Sequence, residues 1–415
     1  MSDRLLEAKA GKTVVSHKPK EAWLALTGRC NLACLHCPRD AETASNESLT
    51  DDVLHQVFEK VFPSLDTLLL GGNNLGEQFI SRDAERVIDE ATRQSVKVVV
   101  TTNASVVRPA LIQKLVAAGA EFRLSMEGTQ GAWEDIRGTR WTTFQKFLGE
   151  LDKARAESPS GCTVNIGFTA FANNIEGLPD LIRFAKEIRA SRVQVQHLLP
   201  VHPHQRFQSL SFHRTTTNRI FDESEELAKV LGVSLQLPAR FPVGGMEKSD
   251  KPEFDARPEV LAPCYYPWTA VNILENGDVT PCGISTEMIM GNLKKQSFDD
   301  IWNGKSYQRL RARINTKPYG MCKNCAMREG GDNKPAALMN IIENKSLVSI
   351  GARALKQLLI QRGRQDMIKK LSDVRAVSVR CWSTFRNDPR LIFGEIVQGV
   401  KSRLSSRGKP RRRQP

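Results

Sequence analysis

Ala22-Trp-Leu-Ala-Leu-Thr27 runs, through Gly28-Arg29, into Cys30-Asn-Leu-Ala-Cys34-Leu-His-Cys37-Pro38. A short apolar run followed by three thiols reads as a strand whose carboxyl-end loop carries metal ligands. Working outward, further strand candidates are Thr67–Leu70, Val96–Thr102, Glu121–Ser125, Thr163–Ala170 and Arg192–Leu199. Helical patterns lie between them at Asp51–Phe62, Arg82–Arg93, Pro109–Ala118, Thr142–Ala156 and Leu178–Ile188. Pro109 suits a helix start and Gly119 a stop. Six strand–helix repeats imply a parallel sheet, open or curled into part of a barrel. Chemistry in such folds gathers at the carboxyl ends of the strands.

Three thiolates in a C-x3-C-x2-C run can hold three irons of a [4Fe–4S] cluster. A cubane has four irons, so one keeps an open position for a second molecule. The competing assignment is zinc, held by these thiolates with His36. The strand just before the cysteines favours the cluster.

A C-x3-C-x2-C loop after the first strand resembles the radical S-adenosylmethionine (SAM) enzymes, with residues 22–200 covered. The resemblance implies a partial (β/α)6 TIM-like barrel. It also implies SAM chelating the open iron through its amine and carboxylate. Reductive cleavage then gives a 5′-deoxyadenosyl radical that takes hydrogen from a substrate. Leu70-Gly71-Gly72-Asn73-Asn74-Leu75-Gly76-Glu77 resembles the family's Gly-Gly-Glu segment and would place Gly76 and Glu77 at the SAM amine. It departs by an extra Asn-Asn-Leu, with Gln78 where many relatives carry Pro. Ser125-Met126-Glu127-Gly128 resembles a Ser-x-Asp-Gly motif, and Ile136-Arg137-Gly138 the Arg-Gly after it, so Ser125 and Arg137 become candidates for SAM carboxylate or ribose. Asn103 closes a Thr-Thr-Asn strand end of the same kind. His36 stands where many relatives stack an aromatic ring on adenine.

Cys264, Cys282, Cys322 and Cys325 form a second set with spacing C-x17-C, x39, C-x2-C. Four thiolates fully ligate a cluster that carries electrons; a four-cysteine zinc ribbon is the alternative. Their surroundings include Tyr265-Tyr266-Pro267-Trp268, Asn276-Gly277-Asp278, Gly291-Asn292-Leu293 and Asp300-Ile301-Trp302. These resemble the SPASM/Twitch auxiliary-cluster domain. Nothing follows Cys325 but Cys381, which implies one auxiliary cluster, the Twitch-like version. Asn276-Gly277 between alternating runs signals a hairpin. Ser297 caps an expected helix over Phe298–Arg313. Cys162 and Cys381 read as small buried apolar residues.

The expected organisation is an extension over 1–21, the barrel over 22–232, a Pro- and charge-rich linker over 233–262, the small cluster domain over 263–330 and a basic helical tail over 331–415. The net charge of +14 is local. Residues 331–415 hold 19 basic and 6 acidic side chains, whereas 1–330 hold 41 and 40. Amphipathic spacing at Leu347-Gly351-Leu355-Leu359, Met367-Leu371-Val374 and Phe393-Ile396-Val400-Leu404 fits three helices, and Arg407–Pro415 reads as disordered. Such a tail suits an anionic membrane surface, a polyanion or an acidic partner. No apolar run reaches the roughly 18–20 residues that span a bilayer, and no secretory signal opens the chain, so the expected compartment is the cytoplasm, with peripheral membrane attachment through the tail.

His197, His202, His204 and His213 cluster after the sixth strand, and His197 is the candidate catalytic residue, for substrate binding or proton transfer. The expected function is radical SAM oxidation of a small polar or carbohydrate-type substrate through the auxiliary cluster, with a flavodoxin or ferredoxin as electron donor. The alternatives are a maturase of ribosomally made peptides and, from another class, a non-catalytic zinc protein whose basic tail binds nucleic acid.

Overall fold

The computed structural model describes residues 3–328 apart from 40–44, 72–75, 159–160, 199, 201–202, 242–262, 284–287, 320–321, 323–324 and 326–327. The expected basic tail with Cys381, most of the expected linker, and Gly72–Leu75 therefore lie outside the described residues. All described residues except 203 and 204 belong to one unit.

The longer strands appear where apolar residues cluster or alternate. In chain order the helix α1 (Asp3–Lys9) precedes β1 (Glu21–Leu24), α2 (Asp51–Gln56), β2 (Thr67–Leu70), α3 (Ala84–Arg93), β3 (Lys97–Thr102), α4 (Pro109–Ala117) and β4 (Glu121–Ser125). Then come α5 (Gln130–Arg137), α6 (Trp141–Glu157), β5 (Thr163–Ala170), α7 (Leu178–Glu187), β6 (Arg192–His197), α8 (Arg214–Leu231) and β7 (Ser234–Gln236). The chain continues with α9 (Tyr266–Thr269), β8 (Ala270–Ile273), β9 (Asp278–Thr280), β10 (Gly291–Asn292), α10 (Phe298–Trp302) and α11 (Lys305–Arg313).

The strands make one sheet, ordered β10-β9-β8-β1-β2-β3-β4-β5-β6-β7. From β8 to β7 every pairing is parallel, while β9 and β10 fold back antiparallel. The six expected strands are present, and the helices cover one face of their sheet. The main core lies there, between Leu68, Leu70, Val98, Val100, Phe122 and Leu124 and the helices.

Four local expectations change. The stretch expected as a linker from 233 begins with β7, which pairs with β6, and Phe241 beyond it is buried and fixed by two hydrogen bonds to the Asn218 amide. Only three residues long and partly exposed, β7 leaves no periodic trace. The helix expected over Phe298–Arg313 breaks at Asn303-Gly304. Gly304 is extended, with φ −68° and ψ 164°, and a Cβ there would sit 2.6 Å from the Asp300 carbonyl, so only glycine fits this break without a shift. The helix expected over Asp51–Phe62 stays α-helical only to Gln56 and loosens into a π turn over Val57–Val61. Finally, the segment expected as an extension is built into the cluster domain. The indoles of Trp268 and Trp302 donate to the Lys12 and His17 carbonyls at 2.8 and 2.7 Å. Asn303 brackets Val15 through two bonds, and the buried Arg311 donates to Thr13 O.

The cluster hairpin forms as its sequence demands. Gly277 takes φ 86°, a left-handed value that glycine adopts without steric penalty. The Ser297 hydroxyl accepts from Asp300 N, as an N-cap should.

Candidate functional site

The loop after β1 is held by short reaches across the barrel mouth. Gln78 is wholly buried. Its Oε1 accepts from Leu26 N at 2.7 Å and its Nε2 donates to Gly76 O at 3.1 Å and Thr27 O at 3.3 Å. Gly76 lies so close to Thr27 that a Cβ would stand 2.0 Å from its carbonyl. A side-chain amide thus does at this position what a rigid ring could not, tying two loops by hydrogen bonds.

Cys30, Cys34 and Cys37 are all free and partly buried. Burial is the main force pushing the Cys34 thiol up to about 12; the Arg137 guanidinium pulls it down, and Glu127, Cys37 and Cys30 push it further up. The mutual influence of the three thiols marks them as one group. Asn103 reaches it directly, its Nδ2 pointing to Cys30 Sγ at 3.8 Å and to Asn31 Oδ1 at 3.2 Å. The Arg39 amide approaches Cys37 Sγ at 3.4 Å, and Gln205 Nε2 donates to Cys37 O at 3.2 Å.

Glu77 is buried, and its carboxylate is taken up inside the fold. Oε1 accepts from Phe79 N and Thr102 Oγ1 at 3.1 and 2.9 Å, and Oε2 accepts from Asn103 N at 2.7 Å. Burial raises its pKa against the pull of these donors. Glu77 therefore locks the β2 loop to the end of β3, next to the thiols.

Arg137 is 4% exposed and pairs with Glu127, whose other oxygen lies 3.3 Å from His36 Nε2. Burial opposes the guanidinium's charge, but Glu127, Cys34 and Glu77 outweigh it and hold its pKa above the ordinary value. Burial lowers the His36 pKa, with Glu127 opposing and Arg137 assisting. The His36 ring stacks on Phe171 at 5.9 Å. Arg137 Nε and His36 Nδ1 are buried without a hydrogen-bond partner. Sequence reasoning passed over Glu127, although it sits inside the quoted Ser-Met-Glu-Gly motif where the family carries Asp. Ser125 lies half-buried at the end of β4, on the face away from the helices.

His197 is placed elsewhere. It follows Val193 and Val195 on the helix-covered face of β6, its ring 4.8 Å from that of Phe241 and 6.1 Å from that of Phe221. Burial drives its pKa down to about 4, with the Ala239 backbone opposing. The structure does not bring it to the thiols. Alternation along β6 could have shown this, because a residue two steps from Val195 shares its face. His213 precedes α8, His204 lies in a 3-10 turn over Pro203–Gln208, and His202 lies outside the described residues.

Cys264, Cys282, Cys322 and Cys325 form the second group. Burial raises Cys264 to about 11, and Cys282 and Cys325 add to that rise; Cys322 is raised by burial and by the same two thiols. Asn315 clasps Cys264 through both backbone atoms, and the buried Arg328 donates to Cys322 O, Ile314 O and Asn315 Oδ1. Neither Asn315 nor Arg328 was singled out from sequence. Among the described residues no three His, Cys, Asp or Glu side chains converge as the ligands of one metal ion. A cubane instead takes each thiolate on a separate iron. Thiols gathered in threes and fours, with amide donors and a guanidinium beside the first group, fit two anionic iron–sulfur clusters.

Residues 24–185 match the Radical SAM superfamily, and residues 264–326 match SPASM, an iron-sulfur cluster-binding domain. This chain is a radical SAM enzyme with a SPASM domain. The first domain implies a [4Fe–4S] cluster with SAM, and the second implies further iron–sulfur binding. The enzyme is 26% identical to an AdoMet-dependent heme synthase of Methanosarcina barkeri, over 74% of this chain and 88% of that one. It is also 26% identical to a PqqA peptide cyclase of Xanthomonas axonopodis pv. citri, over 76% and 82%. Its fold resembles Streptococcus suis SuiB, solved with the precursor peptide SuiA, at TM-score 0.52 and 17% identity, over 75% of this chain and 70% of that one. The expectation of an α/β barrel fold with a small iron–sulfur domain is met. The non-catalytic zinc alternative is overturned by the two family matches and the enzyme relatives. Among the described residues no helix is long and apolar enough to cross a membrane.

Proposed function

We propose that this enzyme oxidises a substrate lying on the helix-free face of the sheet, between the two cysteine groups, with Cys264, Cys282, Cys322 and Cys325 holding one electron-accepting cluster. The carrying observation is the parallel pairing of β8 with β1, which makes the sheet continuous from one cysteine group to the other. Tyr266, two residues after Cys264, lies 5.6 Å from Trp23 on that face.

When bound, the cluster and SAM supply a one-electron cleavage that yields a hydrogen-abstracting carbon radical. The protein's own residues hold and insulate that chemistry. Asn103 orients Cys30, Arg137 balances thiolate charge, and Glu77 with Gln78 fixes the loop against β1 and β3. Arg137 Nε is the spare buried donor for a carboxylate, and His36 flanks it. A flavodoxin- or ferredoxin-type protein would be the electron donor.

A small polar or carbohydrate-type substrate suits the hydrogen-bonding side chains of the open face. A peptide is the second reading, favoured by the similarity to PqqA peptide cyclases. The tail's affinity for an anionic membrane surface or polyanion rests on its charge alone, as does peripheral attachment to a membrane from the cytoplasm.

The test is anaerobic reconstitution with iron analysis and EPR before and after SAM. About eight irons per chain and a SAM-perturbed signal are expected from two cubanes. Mass spectrometry of small-molecule and peptide fractions then tells the two substrate classes apart. Zinc in place of iron, or no 5′-deoxyadenosine, would overturn the proposal.

A further inference from the structure

Parallel sheets almost always have both faces covered. Among the described residues, the parallel strands β4, β5 and β6 have only one face covered. Phe122, Leu124, Val164, Ile166, Val193 and Val195 are buried beneath the helices. The residues between them point the other way and are exposed or half-buried throughout.

The register arranges this open face in rows. Thr101, Arg123, Asn165 and Arg192 pair successively across β3 to β6. One step nearer the strand ends, Ser125, Gly167 and Gln194 make the next row. One step the other way, Trp23, Leu69, Val99 and Glu121 make a third. Trp23, Leu69, Val99 and Ala270 form an apolar wall with Tyr266 packed on it.

The charges do not cancel across these rows. Arg123 Nε donates to Glu121 Oε1 at 2.7 Å, which fixes the guanidinium. The same carboxylate faces Lys97 at 3.7 Å and takes a hydrogen bond from the Asn165 amide, and Glu21 on β1 adds a second negative charge acting on Arg123, so three cations, Lys97, Arg123 and Arg192, stand against two carboxylates. Arg192 is exposed and has no partner among the described residues. Strands lie ~4.8 Å apart, so Arg123 and Arg192, two strands apart, stand ~10 Å apart at the backbone and can converge on one anion above Asn165.

Gly167 supports an occupant independently. Its φ is ordinary, and a Cβ there would meet only the Leu124 carbonyl, at 4.0 Å. Among the described residues nothing requires glycine at this point, and a missing side chain leaves a gap directly above the Arg–Asn–Arg row.

We propose that this face binds an organic acid, its anionic group held between Arg123 and Arg192 and seated over Gly167. The inference names the substrate class of the site proposed above and rests on that reading.

Binding of three probes to the reconstituted full-length enzyme tests it: phenylacetate, phenyl phosphate and the neutral 2-phenylethanol, by calorimetry. An acid is expected to bind at least tenfold more tightly than the alcohol. R192M, at an exposed position that leaves the fold intact, should remove most of that preference, and R123M/R192M all of it. G167V should weaken all three probes. Tighter binding of phenyl phosphate would make phosphate the recognised anion, and tighter binding of phenylacetate a carboxylate. Equal binding of acid and alcohol, or a preference surviving in R123M/R192M, would overturn the proposal. Binding is read without turnover. A wild-type enzyme that prefers the acid yet makes no 5′-deoxyadenosine would sink the proposed function and leave the anion site standing.

Discussion

The two halves of the sheet are built to different rules. In β1, β2 and β3 nearly every residue is buried on both faces, from Trp23 and Leu24 to Leu68–Leu70 and Val98–Val100. In β4, β5 and β6 burial alternates strictly, and the outward face carries Arg123, Asn165, Thr169, Gln194 and Gln196. The first half supports the cysteine loop from beneath and packs against the cluster domain. Among the described residues the second carries no covering layer. Stability lies in the first half, and room for a ligand lies in the second.

The sharpest break comes from the cysteine loop that the first half carries. Replacing any one of Cys30, Cys34 or Cys37 by Ala should abolish 5′-deoxyadenosine formation and reduce iron from about eight to about four per chain. The same change at Cys264 should leave SAM cleavage and remove substrate oxidation. If both sets behaved alike, the division of labour would be wrong.

Stability should separate the halves next. Trp23→Ala removes a side chain buried between the sheet and Tyr266 and should cost about 3–5 kcal/mol in denaturant unfolding. Gln194→Ala, on the open face, should stay within about 0.5 kcal/mol. Comparable costs would mean that the second face is covered after all.

Gln78 probes how the first half holds the loop. Gln78→Ala strands the buried Leu26 N–H and should cost about 1–3 kcal/mol. The more telling readout is cluster retention. Iron loss on gel filtration should quicken in this variant, and unchanged retention would assign Gln78 to the core alone.

Much of this was legible in the sequence because apolar runs report burial. Leu68-Leu69-Leu70 and Val98-Val99-Val100 announce strands covered on both sides, and the alternation in Glu121–Ser125 and Thr163–Ala170 announces strands covered on one. The cysteine sets declare their chemistry by type and spacing. Contacts between distant residues of unremarkable type stayed hidden. Glu127 is one acid among 46 until Arg137 and His36 close around it. The N-terminal segment reads as an extension because the two buried indoles meet it at the backbone carbonyls of Lys12 and His17, and no side-chain pattern advertises those bonds. β7 is too short to show a period.

His197 gives the smallest effect and tests which face it occupies. Its folded pKa, near 4, lies below the ordinary histidine value of 6.5. Below pH 6.5 the unfolded chain binds a proton that the folded chain refuses, so the stabilisation present above pH 6.5 is lost as pH falls towards 4. The difference should amount to roughly 1–3 kcal/mol, scaled down because the ring is only partly buried. His197→Phe keeps the packing against Phe221 and Phe241 and should flatten unfolding stability between pH 4 and 6.5, with substrate turnover retained. Turnover lost in a stably folded His197→Phe enzyme would return this histidine to the active site and place the working face of β6 on the helix side.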